Sequence, residues 1–446
     1  MRIIFFLLTL LVATPLAAQE SQFGSDVRRE GEDLHANCGS GFGAKQVIGC
    51  AVAVATDDPF HVAIGSLAPL NGTAFGAAFS EHFTPNERWR LSWNADAVAA
   101  TSGSWRAGIY MKLIHIPERT ITVVQPGDSS LTSRTPSVPI TEYPVFNVYA
   151  QTTSLDTLAV TAGQDIYSQR QTIVGADVIY PLSSAALRIL RPSFVGAVNG
   201  RFLDVQSQTL TLPAVPSFGQ FEEGVRLKPS AFGDRLRINY LVDFQQFLAA
   251  SDAQSSFHRW TLDLRHDIPL YHTAWSTGPK DTNGPNDCFV AVGSKNCPPV
   301  SYSRNLGGTI SFRLLASRST ANQGSQVPFY FQPTIGGSDI NGQRLLSGYD
   351  DYQFRGPNLI AFQETFEHSI WGPIGAYLLV EQGKVTQGTD DFGAGDWLNS
   401  VAVGLTLRAG GFPLINLSFA WGGNSHHGIA TIDPTLLGGS PRPSLY

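Results

Sequence analysis

Charge is scarce in this 446-residue chain. Asp, Glu, Lys and Arg make up 15% of it, and the balance is acidic at −6. Without a basic excess there is no electrostatic footprint for nucleic acid. Cysteine is scarce as well: there are four, in two local pairs, Cys38 with Cys50 and Cys288 with Cys297. Neither spacing is that of a zinc site, so disulfides are expected ahead of a metal centre. Each would close a loop of roughly a dozen residues, worth ~3 kcal/mol if unstrained. Beyond the N-terminus no run of eighteen apolar residues occurs, so no spanning helix is expected. The chain also lacks a Walker A loop, an HExxH pair and a dinucleotide fingerprint, so no cofactor and no enzymatic activity are expected. The nearest approach to a catalytic group is Ser425 beside His426 and His427. A hydrolase would need an orienting polar group on the same rim, and the sequence shows no partner set. Two solvated histidines in a loop is the plain reading.

What the chain does have begins with an export signal. Arg2 precedes an apolar stretch, Pro15 closes it, and Ala17 and Ala18 offer small residues for cleavage. Residues 1–18 are therefore read as a signal peptide and 19–58 as a short periplasmic segment. Export is also what makes disulfides plausible for the local cysteine pairs.

From about residue 60 onward, alternation dominates. Trp89, Leu91, Trp93 and Ala95 interleave with Arg90, Ser92, Asn94 and Asp96. Ile238, Tyr240, Val242 and Phe244 interleave with Arg237, Asn239, Asp243 and Gln245. Trp260, Leu262 and Leu264 oppose Arg259, Thr261, Asp263 and Arg265, and similar lines run through Val401–Leu407 and Ile415–Trp421. Period two over eight to ten residues is the strand signal. A soluble sandwich would alternate too. Long strands, tryptophans at strand ends and a repeatedly charged second face favour a transmembrane barrel with a wet interior. Since a membrane forbids open sheet edges, closure is implied.

The expected strands are 73–84, 87–99, 104–117, 143–152, 156–166, 170–182, 186–203, 221–231, 234–249, 256–269 and 305–317, then 358–369, 374–385, 396–408, 413–422 and a weak 427–437. That is sixteen, with 59–69 left outside the membrane. The expected fold class is an all-β transmembrane antiparallel β-barrel over 59–446. Counting directions places residues 270–303 and the turn at 101–103 in the periplasm, and 118–142, 204–220 and 386–395 outside.

One stretch, 335–385, organises the rest. Gly336 and Gly337, then Gly342, Gly348 and Gly356, punctuate a loop that can fold back on itself. The order of features resembles the Omp85 superfamily, the BamA, TamA and surface-antigen outer-membrane barrels, in the region of their inward-folded sixth extracellular loop. Gly336-Gly337 matches the glycine pair, Gly348-Tyr349 the end of the tip, and Phe354-Arg355 the Phe-Arg after it. Glu364 matches the acidic residue of the next strand. Glu381 and Gly383 stand for the Asp-x-Gly of the strand after. Ser347 occupies the tip position that is Arg in the family, and Phe366 replaces the strand Arg. The family's POTRA domains do not fit within 19–58.

The resemblance implies a bacterial outer-membrane barrel that assembles outer-membrane proteins or translocates protein or lipid. Its partners would be outer-membrane lipid, a client and a separate periplasmic delivery partner. A passive pore or structural barrel plugged by the loop is the alternative. The resemblance also implies a loop lock: Glu364 and Glu381 share the interior, with Arg344 or Arg355 supplying the missing cation. Arg355 is the expected choice, with Phe354 as anchor and Tyr349 filling the turn.

Overall fold

The computed structural model describes residues 59–432 except 87, 117–142, 162–163, 183–188, 208–213, 230–234, 275–301, 323, 338–343, 372–373, 389–396 and 410–411, together with 27–28, 31–32, 35 and 38. The signal peptide, most of the 19–58 segment and Cys50, Cys288 and Cys297 lie outside the described residues.

The strands in chain order are β1 (Phe60–Ser66), β2 (Thr73–Asn86), β3 (Trp89–Ala100), β4 (Trp105–His115), β5 (Val145–Thr161), β6 (Gln164–Pro181), β7 (Pro192–Ser207), β8 (Phe218–Leu227) and β9 (Arg237–Ala249). They continue with β10 (Phe257–Ala274), β11 (Tyr302–Ala321), β12 (Thr334–Ile335), β13 (Phe354–Arg355), β14 (Asn358–Trp371), β15 (Ile374–Thr386), β16 (Leu398–Ala409), β17 (Phe412–Gly422) and β18 (Ser425–Ile432). Sixteen form one antiparallel sheet in strict sequence order. Only β12 and β13 stand apart, as a two-stranded ribbon inside the long β11–β14 connection. The sheet curls until β1 and β18 lie side by side, with Cα atoms within 8 Å. Among the described residues no ladder joins them.

The alternation read from the sequence sorts side chains as expected, with the usual order of burial inverted. Ile109, Val198 and Leu417 are more than half exposed, whereas Gln220, Gln245 and Asp243 are at most 1% exposed. The enclosed face is polar and internally paired. Arg106 bonds Asp96, Tyr149 bonds Asn199, and Arg313 forms a two-pronged pair with Asp263 at 2.9 and 3.0 Å. Such pairing offsets the cost of burying charge.

The strand count of sixteen is met, but by two compensating differences. Residues 60–66 do form a strand, β1, pairing with Thr73 to Phe79 of β2. The two expected strands at 143–152 and 156–166 are one, β5, with a register shift between Leu155 and Leu158. A bulge of this kind breaks the period of two, so continuous chain reads as two strands. The rims change accordingly. The 101–104 turn lies on the rim of the long loop, not opposite it, and the β4–β5 connection containing 118–142 leaves from the opposite rim. The β10–β11 connection is opposite the long loop, as expected. The last strand starts at Ser425 rather than 427, because a two-residue turn at Gly423 (φ +57°) brings it round early.

Candidate functional site

The long connection between β11 and β14 folds onto the buried face of the sheet. Its glycine pair makes the fold-back possible. Gly336 (φ +108°) and Gly337 (φ +61°) occupy the region that other residues enter at a cost. A Cβ on Gly337 would stand 2.0 Å from Asp351 Oδ1. Their amides donate to Leu345 O and Leu346 O at 2.9 and 3.1 Å, and Leu345 N–H donates back to Gly337 O at 3.2 Å. The tip is thereby pinned against the ribbon of β12 and β13. Leu345 and Leu346 are buried with Ile335, Tyr349, Leu315 of β11, and Leu359 and Ala361 of β14. Phe354 packs on the same cluster and meets the Tyr349 ring edge-on at 5.4 Å. Phe354 thus packs between the tip and the buried face of the sheet.

Glu381 of β15 is the acceptor at the centre. It is fully buried, and its Oε2 accepts the Ser347 backbone N–H at 2.6 Å. Its Oε1 accepts Gln363 Nε2 at 2.9 Å, and the same amide nitrogen donates to Arg344 O at 2.8 Å. The carboxylate is thus held by one backbone amide and one side-chain amide. Gly383, two residues along β15, faces the loop as well, with Ile335 Cδ1 3.6 Å from where its Cβ would be.

Two expected members of the lock go elsewhere. Glu364 is on the exposed face of β14, opposite Phe312 of β11 and Val380 of β15. The inward residue of that strand is its neighbour Gln363, since a shift of one residue exchanges the faces of a strand. Arg355 does not approach Glu381. It donates to Val160 O and Ala159 O at 2.9 Å each, to Phe329 O at 2.7 Å and to Gln332 O at 3.5 Å. It ties the end of β5 to the turn at Phe329–Phe331, whose Phe331 packs on Phe218, Phe247 and Phe257 of β8, β9 and β10. The cation near Glu381 is Arg344, whose Nη1 donates to Ser418 Oγ of β17 at 3.0 Å.

Sequence reasoning missed the loop's reach to the last strands. Gly348 N–H donates to Ser400 Oγ of β16 at 2.8 Å, and Ser425 Oγ of β18 donates to Gly348 O at 2.6 Å. Tyr349 lies over Gly422 and Gly423, within 3.0 Å of where their Cβ atoms would be. Asp350 Oδ1 is 3.4 Å from His427 Nε2. On the far side Tyr352 is buried among Ala63 of β1, Leu67, Ala68 and Ala74. The Gly422–Gly423 pair was the available signal, because a bare backbone there leaves room for a ring. The single Ser425 hydroxyl proton is shared between two backbone carbonyls, Gly348 O at 2.6 Å and Gly422 O at 2.9 Å.

These features define a large antiparallel β-barrel with a polar interior and its longest loop folded within. No protein-family model matches the chain, and no curated protein does. Among solved structures it is similar to CdiB from Acinetobacter baumannii, with a TM-score of 0.47 and 12% identity over 84% of this chain and 56% of that one. It is similar also to BamA from Haemophilus ducreyi lacking POTRA domains 1-3, with a TM-score of 0.46 and 10% identity over 84% of this chain and 69% of that one. CdiB from Escherichia coli gives 0.45 and 11%, over 85% and 60%. The chain spans little more than half the length of the first.

Proposed function

We propose that the protein is a bacterial outer-membrane barrel that helps insert or translocate protein or lipid, with a client passing at the edge where the first and last strands meet. The observation that carries this reading is that edge. β1 has 7 residues, against 18 in β10 and 20 in β11, and β18 is described over Ser425–Ile432. β1 pairs with β2 only as far as Phe79, and Ser80 N–H donates to Pro59 O at 2.8 Å. The β1–β2 ladder thus covers the first half of β2, which runs on to Asn86. An open edge is a template for another extended strand, with backbone bonds giving affinity and alternate side chains specificity. The exposed apolar face supports placement in a bilayer, since a soluble barrel rarely shows so much. Delivery to the rim would fall to a separate periplasmic partner, and the local cysteine pairs would be disulfides in that compartment. We propose no enzymatic activity.

The loop itself favours a second reading, a structural barrel or pore plugged from within, because it contacts strands around most of the interior. Purified protein in planar bilayers and in liposomes with an unfolded outer-membrane barrel substrate separates the two. The first reading expects low steady conductance and faster substrate insertion. Large steady conductance with no acceleration would replace it by the pore.

A further inference from the structure

We infer that residues 346–352 form a strained strap across the meeting of β1 and β18, and that this strap, more than strand pairing, holds the seam shut. The inference deepens the function proposed above, and it rests on reading the seam as the working edge.

The two sides of the seam are tied to neighbouring residues of one short segment. Toward β18, Ser425 Oγ donates to Gly348 O at 2.6 Å and Asp350 Oδ1 lies 3.4 Å from His427 Nε2. The Tyr349 ring covers the β17–β18 turn at Gly422 and Gly423. Toward β1, Tyr352 is 1% exposed in a buried cluster that includes Ala63 of β1 and Leu67 and Ala68 of the β1–β2 turn, and its hydroxyl lies 3.4 Å from Pro69 O in that turn. The segment crosses the seam in two turns, closed by Tyr349 N–H donating to Leu346 O at 3.1 Å and Gln353 N–H donating to Asp350 O at 3.2 Å. The β1 and β18 backbones are close but unladdered among the described residues, and the strap touches both sides of the seam.

The segment is also under backbone strain at both ends. Leu346 (φ +62°) and Tyr352 (φ +61°) sit in the left-handed region, which bulky side chains seldom enter. Both are 1% exposed, so burial on opposite sides holds each in that conformation. Releasing either anchor lets the backbone relax away from the seam. The strap is therefore a catch under tension: an event at either end, such as a client pressing on β18 or a loop contact drawing Tyr352 out, frees both strands.

The test is photocrosslinking in the full chain, reconstituted in phospholipid nanodiscs. A benzoylphenylalanine at Val62, on the exposed face of β1, reports cross-links to β18 by peptide mass spectrometry. The parent chain is expected to give a strong β1–β18 cross-link. Tyr352→Ala, which empties the β1 anchor, is expected to lower the yield at least threefold. Gly348→Ala, whose Cβ would stand 2.1 Å from the Trp421 carbonyl carbon, is expected to do the same from the other side. Tyr352→Phe keeps the packing and is expected to stay near the parent value. Heat-modifiable gel migration identifies folded barrel. If Tyr352→Ala does not fold, the Asp350→Ala/Ser425→Ala double variant replaces it with the same expectation. Equal yields in the parent and in the folded anchor variants overturn the strap. The outcome is independent of client insertion: a fall in cross-linking without accelerated insertion keeps the strap and removes the proposed function.

Discussion

The site turns on a few side chains whose partners differ from those the sequence suggests. At Glu381 the carboxylate is held by a backbone amide and a side-chain amide, so its charge is met by hydrogen bonds at 2.6 and 2.9 Å. Hydrogen bonds to a charged group contribute about 1.5–3 kcal/mol. Glu381→Ala is thus expected to loosen the tip by about that much, read as faster proteolysis between Asp350 and Asp351 in folded barrel. Ser347→Arg is expected to loosen it too. The Ser347 side chain is fully buried, and forcing a larger one into a filled site costs about 1–3 kcal/mol. Resistance equal to that of the native chain in both variants would show that Glu381 does not hold the tip. Arg355 works differently. It satisfies carbonyls at Ala159, Val160, Phe329 and Gln332, which belong to segments more than a hundred residues apart in sequence. Arg355→Ala is expected to lower the urea midpoint of the barrel by about 2–3 kcal/mol equivalent, and Arg355→Lys to recover only part, since an ammonium cannot reproduce the planar fork. Full recovery by lysine would mean that charge alone matters there.

At the scale of the element, strands were legible because their faces differ so sharply, and their ends were less so. The alternation in β3, β9, β10, β16 and β17 translates directly into exposed and enclosed faces. What sequence patterning could not resolve was local phase. A register shift inside β5 disguised one strand as two, and β1, three of whose 7 residues are Ala, Gly and Ser, carries too weak a pattern to stand out. Phase also decided the lock. The glutamate at 364 matches the family's order, but Gln363 is the residue that turns inward. Opposite effects are therefore expected from adjacent substitutions on β14. Glu364 shares the exposed face with Phe362 and Phe366, where a carboxylate is unfavourable in lipid. Glu364→Leu is expected to raise stability in bilayers by about 1 kcal/mol and to leave loop proteolysis unchanged. Gln363→Leu strands the Arg344 carbonyl and the Glu381 carboxylate, and is expected to cost about 1–3 kcal/mol and expose the loop. The reverse pattern would mean that β14 is paired one residue out of register.

For the whole molecule, the loop acts as a hub. Its Phe331 packs on β8 to β10, Leu346 on β11 and β14, Ser347 on β15, Gly348 on β16 to β18, Tyr352 on β1 and β2, and Arg355 on β5. The sequence signalled the hub through its glycines, but not its spokes, which depend on contacts spanning up to 283 residues. Strand order fixes which connections share a rim. Strict antiparallel order puts the turns at 101–104 and 250–256 beside the long loop, and the connections after β4, β6, β8 and β10 at the opposite rim. With sixteen strands, an even number, β1 begins and β18 ends at that opposite rim. A segment reaching β1 from the periplasm therefore sets that rim inward and the loop outward. Two exposed described positions test this, Gln254 beside the loop and Ile189 at the other rim. A cysteine introduced at 254 is expected to react with an impermeant maleimide on intact cells, and one at 189 only after the outer membrane is permeabilised. The chain without an introduced cysteine gives the background. The opposite pattern would place the loop in the periplasm, and the rim where β1 begins and β18 ends would then face the cell exterior, where a periplasmic partner could not deliver a client to it.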